Sequence, residues 1–347
     1  MRGPALSRWG QNPRTFCPAG LRTVVRIQTV TDGMRTGLTL AVGASLAFGL
    51  SGSLARGLFD AGWSPGAVVL IRISLGALVV LPFGTAAIAG RWHALRRNAA
   101  LVVAYGLLAV AGAQYCYFAA VQRMDVGPAL LIEYTAPAAV VGWMWVRHGQ
   151  RPRRITVAGA LLAALGLALV LDIFGGVSLD GVGVAWASAA MLGAATYFVI
   201  NGNLTTGLPP LTLAAGGLVV GALGLGLLAL TGVLPVETNT RDVRLADATV
   251  TWWTPLVLLG VVTAGLAYVA GIAAGRRLGS RLASFVSLLE VIAAVGFAWL
   301  LLDQVPTGMQ AAGGGLILLG VVAVHLGEPA RARRAAGYNS APPVASR

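Results

Sequence analysis

Between residues 36 and 325 the chain alternates apolar runs with short clusters of polar and arginine residues. A helix needs about 20 mostly apolar residues to cross a ~30 Å hydrocarbon core. Runs of that kind fall at about 36–56, 65–83, 98–119, 127–146, 155–172, 181–201, 209–231, 252–274, 281–302 and 307–325. The pattern predicts an all-α protein, a polytopic transmembrane helix bundle of ten spans. The connections are too short to hold a soluble domain. The longest, 232–251, carries Glu237, Arg241, Asp242, Arg244 and Asp247 and reads as a polar loop. Residues 1–35 lack an apolar core long enough for a signal peptide. They read as a disordered cytoplasmic leader, with Met34 before Arg35 as a natural beginning, so that 1–33 are disordered or mis-started. Residues 326–347 read as a disordered cytoplasmic tail.

Composition supports lipid as the solvent. Hydrophobic residues make up 57% and charged residues 11%, with a mean hydropathy of +0.78, whereas a soluble domain carries about 25% charged residues to wet its surface. The 47 glycines suit membrane helices, which pack through small residues because lipid supplies no hydrophobic force between them. The formal charge of +13 invites a nucleic-acid reading, but all 25 basic residues are arginines placed in clusters between apolar runs. That distribution is a topology signal rather than a binding stripe. Twenty arginines fall on the side of the leader, the 2–3, 4–5 and 8–9 loops and the tail, against Arg56, Arg123, Arg241 and Arg244 on the other. Both termini are therefore expected in the cytoplasm of a cell whose inner membrane holds the protein. Cys17 and Cys116 form no disulfide or metal set, and His93, His148 and His325 follow no ligand spacing, so no metal or cofactor is expected.

The chain repeats itself. A shift of 154 lays the third to fifth runs on the eighth to tenth, matching Gly106 with Gly260, Arg123 with Arg277, Gly142 with Gly296 and Trp145 with Trp299. Gln150 and Pro152 meet Gln304 and Pro306, and Gly159 and Gly166 meet Gly313 and Gly320. A shift of 144 aligns Pro65 with Pro209. The two repeats, 36–172 and 181–325, have five runs each. An odd number turns the second copy upside down in the membrane, and the arginines agree: 147–154 carries four, while 301–308 carries none and has Asp303. Two inverted five-helix repeats are a recurring plan of secondary transporters, although a purely structural duplication produces the same pattern.

GPALLIEYTAPAAVVGWMWV (127–146), with SPGAVVLIRISLGALVVLPF (64–83) and RLGSRLASFVSLLEVIAAVGFAWLL (277–301), resembles the EamA family of the drug/metabolite transporter superfamily. The similarity covers about 36–325. It implies two inverted five-helix repeats, cytoplasmic termini and export of small solutes such as amino acids, often driven by proton or solute exchange. The chain departs from the family where Gly-Glu often ends the fourth and ninth spans, reading Gly149-Gln150 and Asp303-Gln304, and where Glu-Pro is usual, reading Glu290-Val291.

Three ionisable residues lie inside runs: Arg72, Glu133 and Glu290. Each costs about 2.5–3.5 kcal/mol to insert at a span centre, so it normally faces a bundle interior or wet cavity. Arg72 and Glu133 lie at similar depth, ~10 Å from the same face at 1.5 Å per residue, so an ion pair between them is geometrically open. Such a pair is either a latch between helices or part of a substrate path that holds a zwitterion. Glu290 lies ~13 Å deep. Repeat alignment puts Glu133 opposite Ser287 and Glu290 opposite Ala136, one helical turn apart on one face. Glu290 is a candidate for proton coupling or for an ammonium group, against a neutral glutamic acid that only packs. Weaker pocket candidates are Gln114 and Tyr268, which are repeat-equivalent, together with Tyr134 and Ser287. Each has a commoner use as an interhelical hydrogen bond. Pro137 is expected to kink the fourth span just after Glu133, acting as a hinge.

No nucleophile with a base, metal spacing or P-loop is present, so an enzyme or ATP-driven pump is not expected. The leading reading is a secondary exporter of amino acids or similar metabolites working by alternating access. Its partners are a small-molecule substrate and the bilayer, with protons and a second copy of the chain left open. The competing reading is a non-transporting scaffold or assembly factor that reuses the fold.

Overall fold

The computed structural model describes residues 19–148, 153–170, 180–201 and 207–327. Most of them are helical. The first half contains α1 Ala19–Asp60, α2 Pro65–Ile88, α3 Trp92–Arg97, α4 Ala99–Ala104 and α5 Ala113–Arg123, with a π-helical stretch, Tyr105–Gly112, joining α4 to α5. It continues with α6 Val126–Glu133, α7 Ala136–His148 and α8 Arg154–Val170. The second half contains α9 Gly181–Asn201, α10 Pro210–Leu230, α11 Trp253–Val257, a π-helical stretch Leu258–Leu266, α12 Ala267–Ser287, α13 Leu289–Leu302 and α14 Gly308–Gly327. Among the described residues, five stretches are long and apolar enough to cross a membrane: Met34–Asp60, Pro65–Ile88, Ala99–Arg123, Pro210–Leu230 and Trp253–Leu278. Arg154–Val170, Leu289–Leu302 and Gly308–Val324 are shorter apolar helices.

Local chemistry explains several boundaries. Ser64 caps α2, its Oγ accepting from the Ala67 N–H, and Pro65 occupies the first turn, where no intrahelical N–H partner is needed. The same Oγ donates to the Pro235 carbonyl and accepts from the Glu237 N–H, so α2 is pinned at its start to the 232–251 connection. Asp180 caps α9 by accepting from the Val182 and Gly183 N–H groups and pairs with Arg123 at 3.2 Å. A desolvation cost at Asp180 is outweighed by these hydrogen bonds and by the Arg123 charge, which hold its carboxyl below the usual range.

The backbone departs from the sequence reading in three places. α12 runs on through 275–280, where a loop between the eighth and ninth runs is expected, so the ninth run is shared between the end of α12 and α13. The connection 232–251 is not all loop. It folds β1 Val243–Leu245 and β2 Ala248–Val250 into an antiparallel hairpin with Val243 opposite Val250. Pro137 does not kink a continuous helix: α6 stops at Glu133, Tyr134 and Thr135 form a turn, and α7 restarts at Ala136 with Pro137 in its first turn. A ring that lacks an N–H is tolerated there. Helical backbone also reaches back to Ala19, inside the expected leader. Residues 1–18 and 328–347, and the Gln150 and Pro152 matches, lie outside the described residues.

The irregularities recur at the repeat spacing. Residues 105–112 map by 154 onto 259–266, so the two π-helical stretches coincide. The break at Tyr134 maps onto the break at Leu288. Helix packing follows the same map. α1 lies along α12 and α13, as α9 lies along α5, α6 and α7. α2 packs on Leu258–Leu266, as α10 packs on Tyr105–Gly112. α2 also pairs with α10, and α8 with α14, each helix meeting its own counterpart.

Glycine sets the closest approaches. A Cβ at Gly159 would meet the Gly320 carbonyl at 2.7 Å, and one at Gly166 the Gly313 carbonyl at 2.5 Å. Large apolar side chains such as Leu78, Leu161, Leu223 and Leu227 face outward, a surface that lipid accepts and water does not. Inside, Leu54, Leu58, Val68, Phe118, Leu218 and Leu259 form one continuous core.

Candidate functional site

The polar interior is built where the regular helices fail. Glu133 is the last residue of α6, before the Tyr134–Thr135 turn, and Glu290 lies in the first turn of α13, after the break at Leu288. Discontinuous helices of this kind line the binding sites of many secondary transporters, because their free backbone ends are tolerated only where they face protein or a wet cavity.

The structure brings Glu290 and Tyr134 together. The Tyr134 hydroxyl donates to Glu290 Oε2 at 2.9 Å, with the Ser287 carbonyl 3.3 Å away competing for the same proton. This contact crosses from the first half to the second. Glu133 makes no hydrogen bond or ion pair among the described residues, although its charge and that of Glu290 act on one another.

Arg72, in the middle of α2, is 5% exposed. It does not form the ion pair with Glu133 that equal depth allowed: among the described residues, the ion pairs are Arg56–Asp60 and Arg123–Asp180. Its Nη1 instead donates to Gln114 Oε1 at 2.7 Å, and its Nη2 to the Thr263 carbonyl at 3.4 Å. The guanidinium carbon sits 5.2 Å from the centre of the Phe118 ring, in range for a cation–π contact. The Nε–H is buried without a partner. Burying an unpaired donor costs about 1–3 kcal/mol, so this edge of a fixed cation stands ready for an acceptor. Glu133 and Glu290 are near enough for their charges to act on it.

Tyr268, the repeat counterpart of Gln114, packs edge-on against Phe48 at 5.4 Å and lies within electrostatic reach of Arg72. Ser287 contributes its carbonyl to Tyr134. The sequence reading did not single out Phe118 and Thr263. Phe118 was within reach, since it lies four residues after Gln114 on the same helix face. Thr263 acts through its carbonyl inside a π-helical stretch, which no side-chain pattern signals.

Two clefts lie elsewhere. One of about 420 Å³ opens between the β1–β2 hairpin, the end of α1 and the end of α13, with Arg56, Asp60, Asp242, Arg244, Asp247 and Asp303 on its walls. A second, of about 210 Å³, is an apolar groove among α6, α13 and α14.

Charged side chains at two helix breaks, within a bundle of long apolar helices, are an arrangement expected of a membrane transporter. Residues 35–172 and 181–326 each match the EamA-like transporter family, and the chain belongs to that family. It is 26% identical to the threonine/homoserine exporter RhtA of Salmonella typhimurium strain SL1344 over 81% of this chain and 87% of that protein. RhtA of Escherichia coli strain K12 is 29% identical over 48% of this chain and 53% of its own length. One solved crystal structure is similar at a TM-score of 0.52 and 21% identity, covering 89% of this chain and 99% of its own, which is a likeness of fold.

Proposed function

We propose that the protein is an inner-membrane exporter of small amino acids, built as ten spans in two inverted five-helix repeats with both termini cytoplasmic. The arginine bias supports the orientation. The matching π-helical stretches, helix breaks and packing pairs support the duplication. The similarity to threonine/homoserine exporters supports the substrate class. Export proceeds by alternating access to a central site, with Arg72 taking the substrate carboxylate and Glu133 and Glu290 taking its ammonium. Glu290, hydrogen-bonded across the halves by Tyr134, is the group that couples transport to protons.

The observation that carries this reading is the buried guanidinium of Arg72, which has neutral partners, an unpaired Nε–H and two carboxylates from opposite halves in electrostatic reach. A structural latch would be expected to neutralise that cation; a binding site leaves it to the ligand.

The test is transport of an amino-acid panel that includes L-threonine and L-homoserine, in proteoliposomes with and without a pH gradient. The native protein is expected to carry members of the panel faster with the gradient. Glu290→Gln is expected to abolish the effect of the gradient. Wild-type rate and unchanged pH dependence in Glu290→Gln would refute the coupling role, full transport with Glu133 and Glu290 both neutralised would remove them from the site, and no transport of any member of the panel would favour a scaffold.

A further inference from the structure

We infer that Gln114 is a positioning and specificity residue: it holds Arg72 in place without neutralising it, and so restricts the substrate to molecules with a free carboxylate as well as an ammonium group. The inference rests on the reading of Arg72, Glu133 and Glu290 as the substrate site. Gln114 Oε1 accepts from Nη1 of Arg72 at 2.7 Å, a length usual for a carboxylate partner. An amide oxygen at that distance orients the guanidinium as a carboxylate does, yet adds no charge.

With the oxygen committed to Arg72, the amide –NH2 of Gln114 remains as a donor beside the guanidinium. The other two neighbours, the Thr263 carbonyl and the Phe118 ring, are also neutral. The cation is therefore held on three sides and neutralised by none, with Nε–H left over. A planar carboxylate, with two oxygens and a full negative charge, matches these donors. The opposite charge preference comes from Glu133 and Glu290. A substrate with a carboxylate alone meets two carboxylates, and one with an ammonium alone leaves Arg72 uncompensated. A zwitterion answers both. Removing the carboxylate from an amino acid, as a lactone or amide does, should cost most of the affinity, because a site built around a buried polar group rejects ligands that leave it unpaired.

The deciding substitution is Gln114→Glu. It keeps the shape, supplies a better partner to Arg72 and consumes the charge meant for the substrate. A purely structural contact would be preserved or strengthened by it. The measurements are thermal unfolding of the purified full-length protein, and L-homoserine transport in proteoliposomes competed by unlabelled L-homoserine or by homoserine lactone. The native protein is expected to discriminate against the lactone at least tenfold. Gln114→Glu is expected to unfold at the native temperature or higher, with its KM for L-homoserine raised at least tenfold and its discrimination against the lactone lost. Should Gln114→Glu fail to fold, Gln114→Met and the native competition decide. Native transport of L-homoserine with equal competition by the lactone, or a Gln114 variant with unchanged KM and discrimination, overturns the inference while the exporter reading stands. No transport of any amino acid overturns both.

Discussion

The crossing of α8 and α14 offers a test in which the geometry sets the sign. A Cβ at Gly166 would lie 2.5 Å from the Gly313 carbonyl oxygen, 2.8 Å from the Ile317 nitrogen and 2.9 Å from the Leu316 Cβ. In return, a Cβ at Gly313 would lie 2.6 Å from the Gly166 carbonyl and 2.9 Å from the Val170 nitrogen. Most of these neighbours are backbone and cannot swing away. Restoring ordinary contact requires the helices to part by roughly 0.9 Å, which weakens dispersion contacts along the whole crossing. Gly166→Ala is therefore expected to cost about 1–3 kcal/mol, the usual penalty of overpacking. Gly142→Ala and Gly296→Ala supply controls, because a Cβ at either position has nothing within 4 Å. There alanine only improves helix propensity, by up to about 1 kcal/mol. Thermal unfolding in detergent should show Gly166→Ala and Gly313→Ala lowering Tm and both controls leaving it level or raising it. The double variant should be less destabilised than the two singles added, since helices already parted accept the second methyl at less cost. Equal Tm values for Gly166→Ala and Gly142→Ala would refute the claim that this crossing depends on the missing side chain.

Two further outcomes follow from single contacts. Tyr134→Phe removes the 2.9 Å donor to Glu290. A hydrogen bond contributes about 0.5–1.5 kcal/mol net, so substrate KM should rise roughly two- to tenfold and the pH profile of transport should move; an unchanged KM and profile would place Tyr134 outside the site. Gly57→Leu crowds the hairpin, because even a Cβ there lies 2.8 Å from Leu245 Cδ2 and 2.9 Å from Val243 Cγ1. Amide hydrogen exchange should rise across 243–250 in this variant, and less so in Gly57→Ala, whose close contacts are two side-chain methyls.

The apolar runs made the long helices legible, since their length and composition depend on lipid and little else. The family was legible from the stretches 64–83, 127–146 and 277–301, and the repeat from Trp145 and Trp299 and from recurring glycines. Position along a run is a weaker guide to contact. Equal depth left a pair between Arg72 and Glu133 open, but Arg72 meets Gln114 instead, and depth carries no information about helix rotation. The hairpin at 243–250 was hidden because 232–251 was read by its charges. Its alternation (Val243, Leu245, Val250) is short, and its stability comes from docking: Val243 is fully buried, and the Ala246 N–H donates to the Leu301 carbonyl at 2.7 Å. The break at Leu288 follows neither a proline nor a glycine. Only its repeat partner at Tyr134, beside Pro137, pointed to it.

The frame is duplicated, but the chemistry on it is not. Arg72 corresponds under the repeat to Gly216, Glu133 to Ser287, Glu290 to Ala136 and Phe118 to Ile272. Equivalent helices give two related packings of similar energy, which an alternating protein needs. In the proposed site, unlike side chains set one cation beside two acidic groups instead of two copies of either. The packing adds a constraint. α1 lies with α12 and α13 from the other half, and α9 lies with α5, α6 and α7, so each of these packed groups mixes helices of the two sequence repeats. Glu290 belongs to the first group, and Glu133 and Gln114 to the second. Arg72 reaches Gln114 in one group and Thr263, next to α12, in the other. In the proposed alternating cycle, a motion that parts the groups would break the Tyr134–Glu290 contact at 2.9 Å and one of the two Arg72 contacts, to Gln114 at 2.7 Å or to Thr263 at 3.4 Å. With the cation kept on Gln114, its shorter partner, the proposed site would lose the Glu290 carboxylate as it opens, and a bound zwitterion would lose one of its counter-charges.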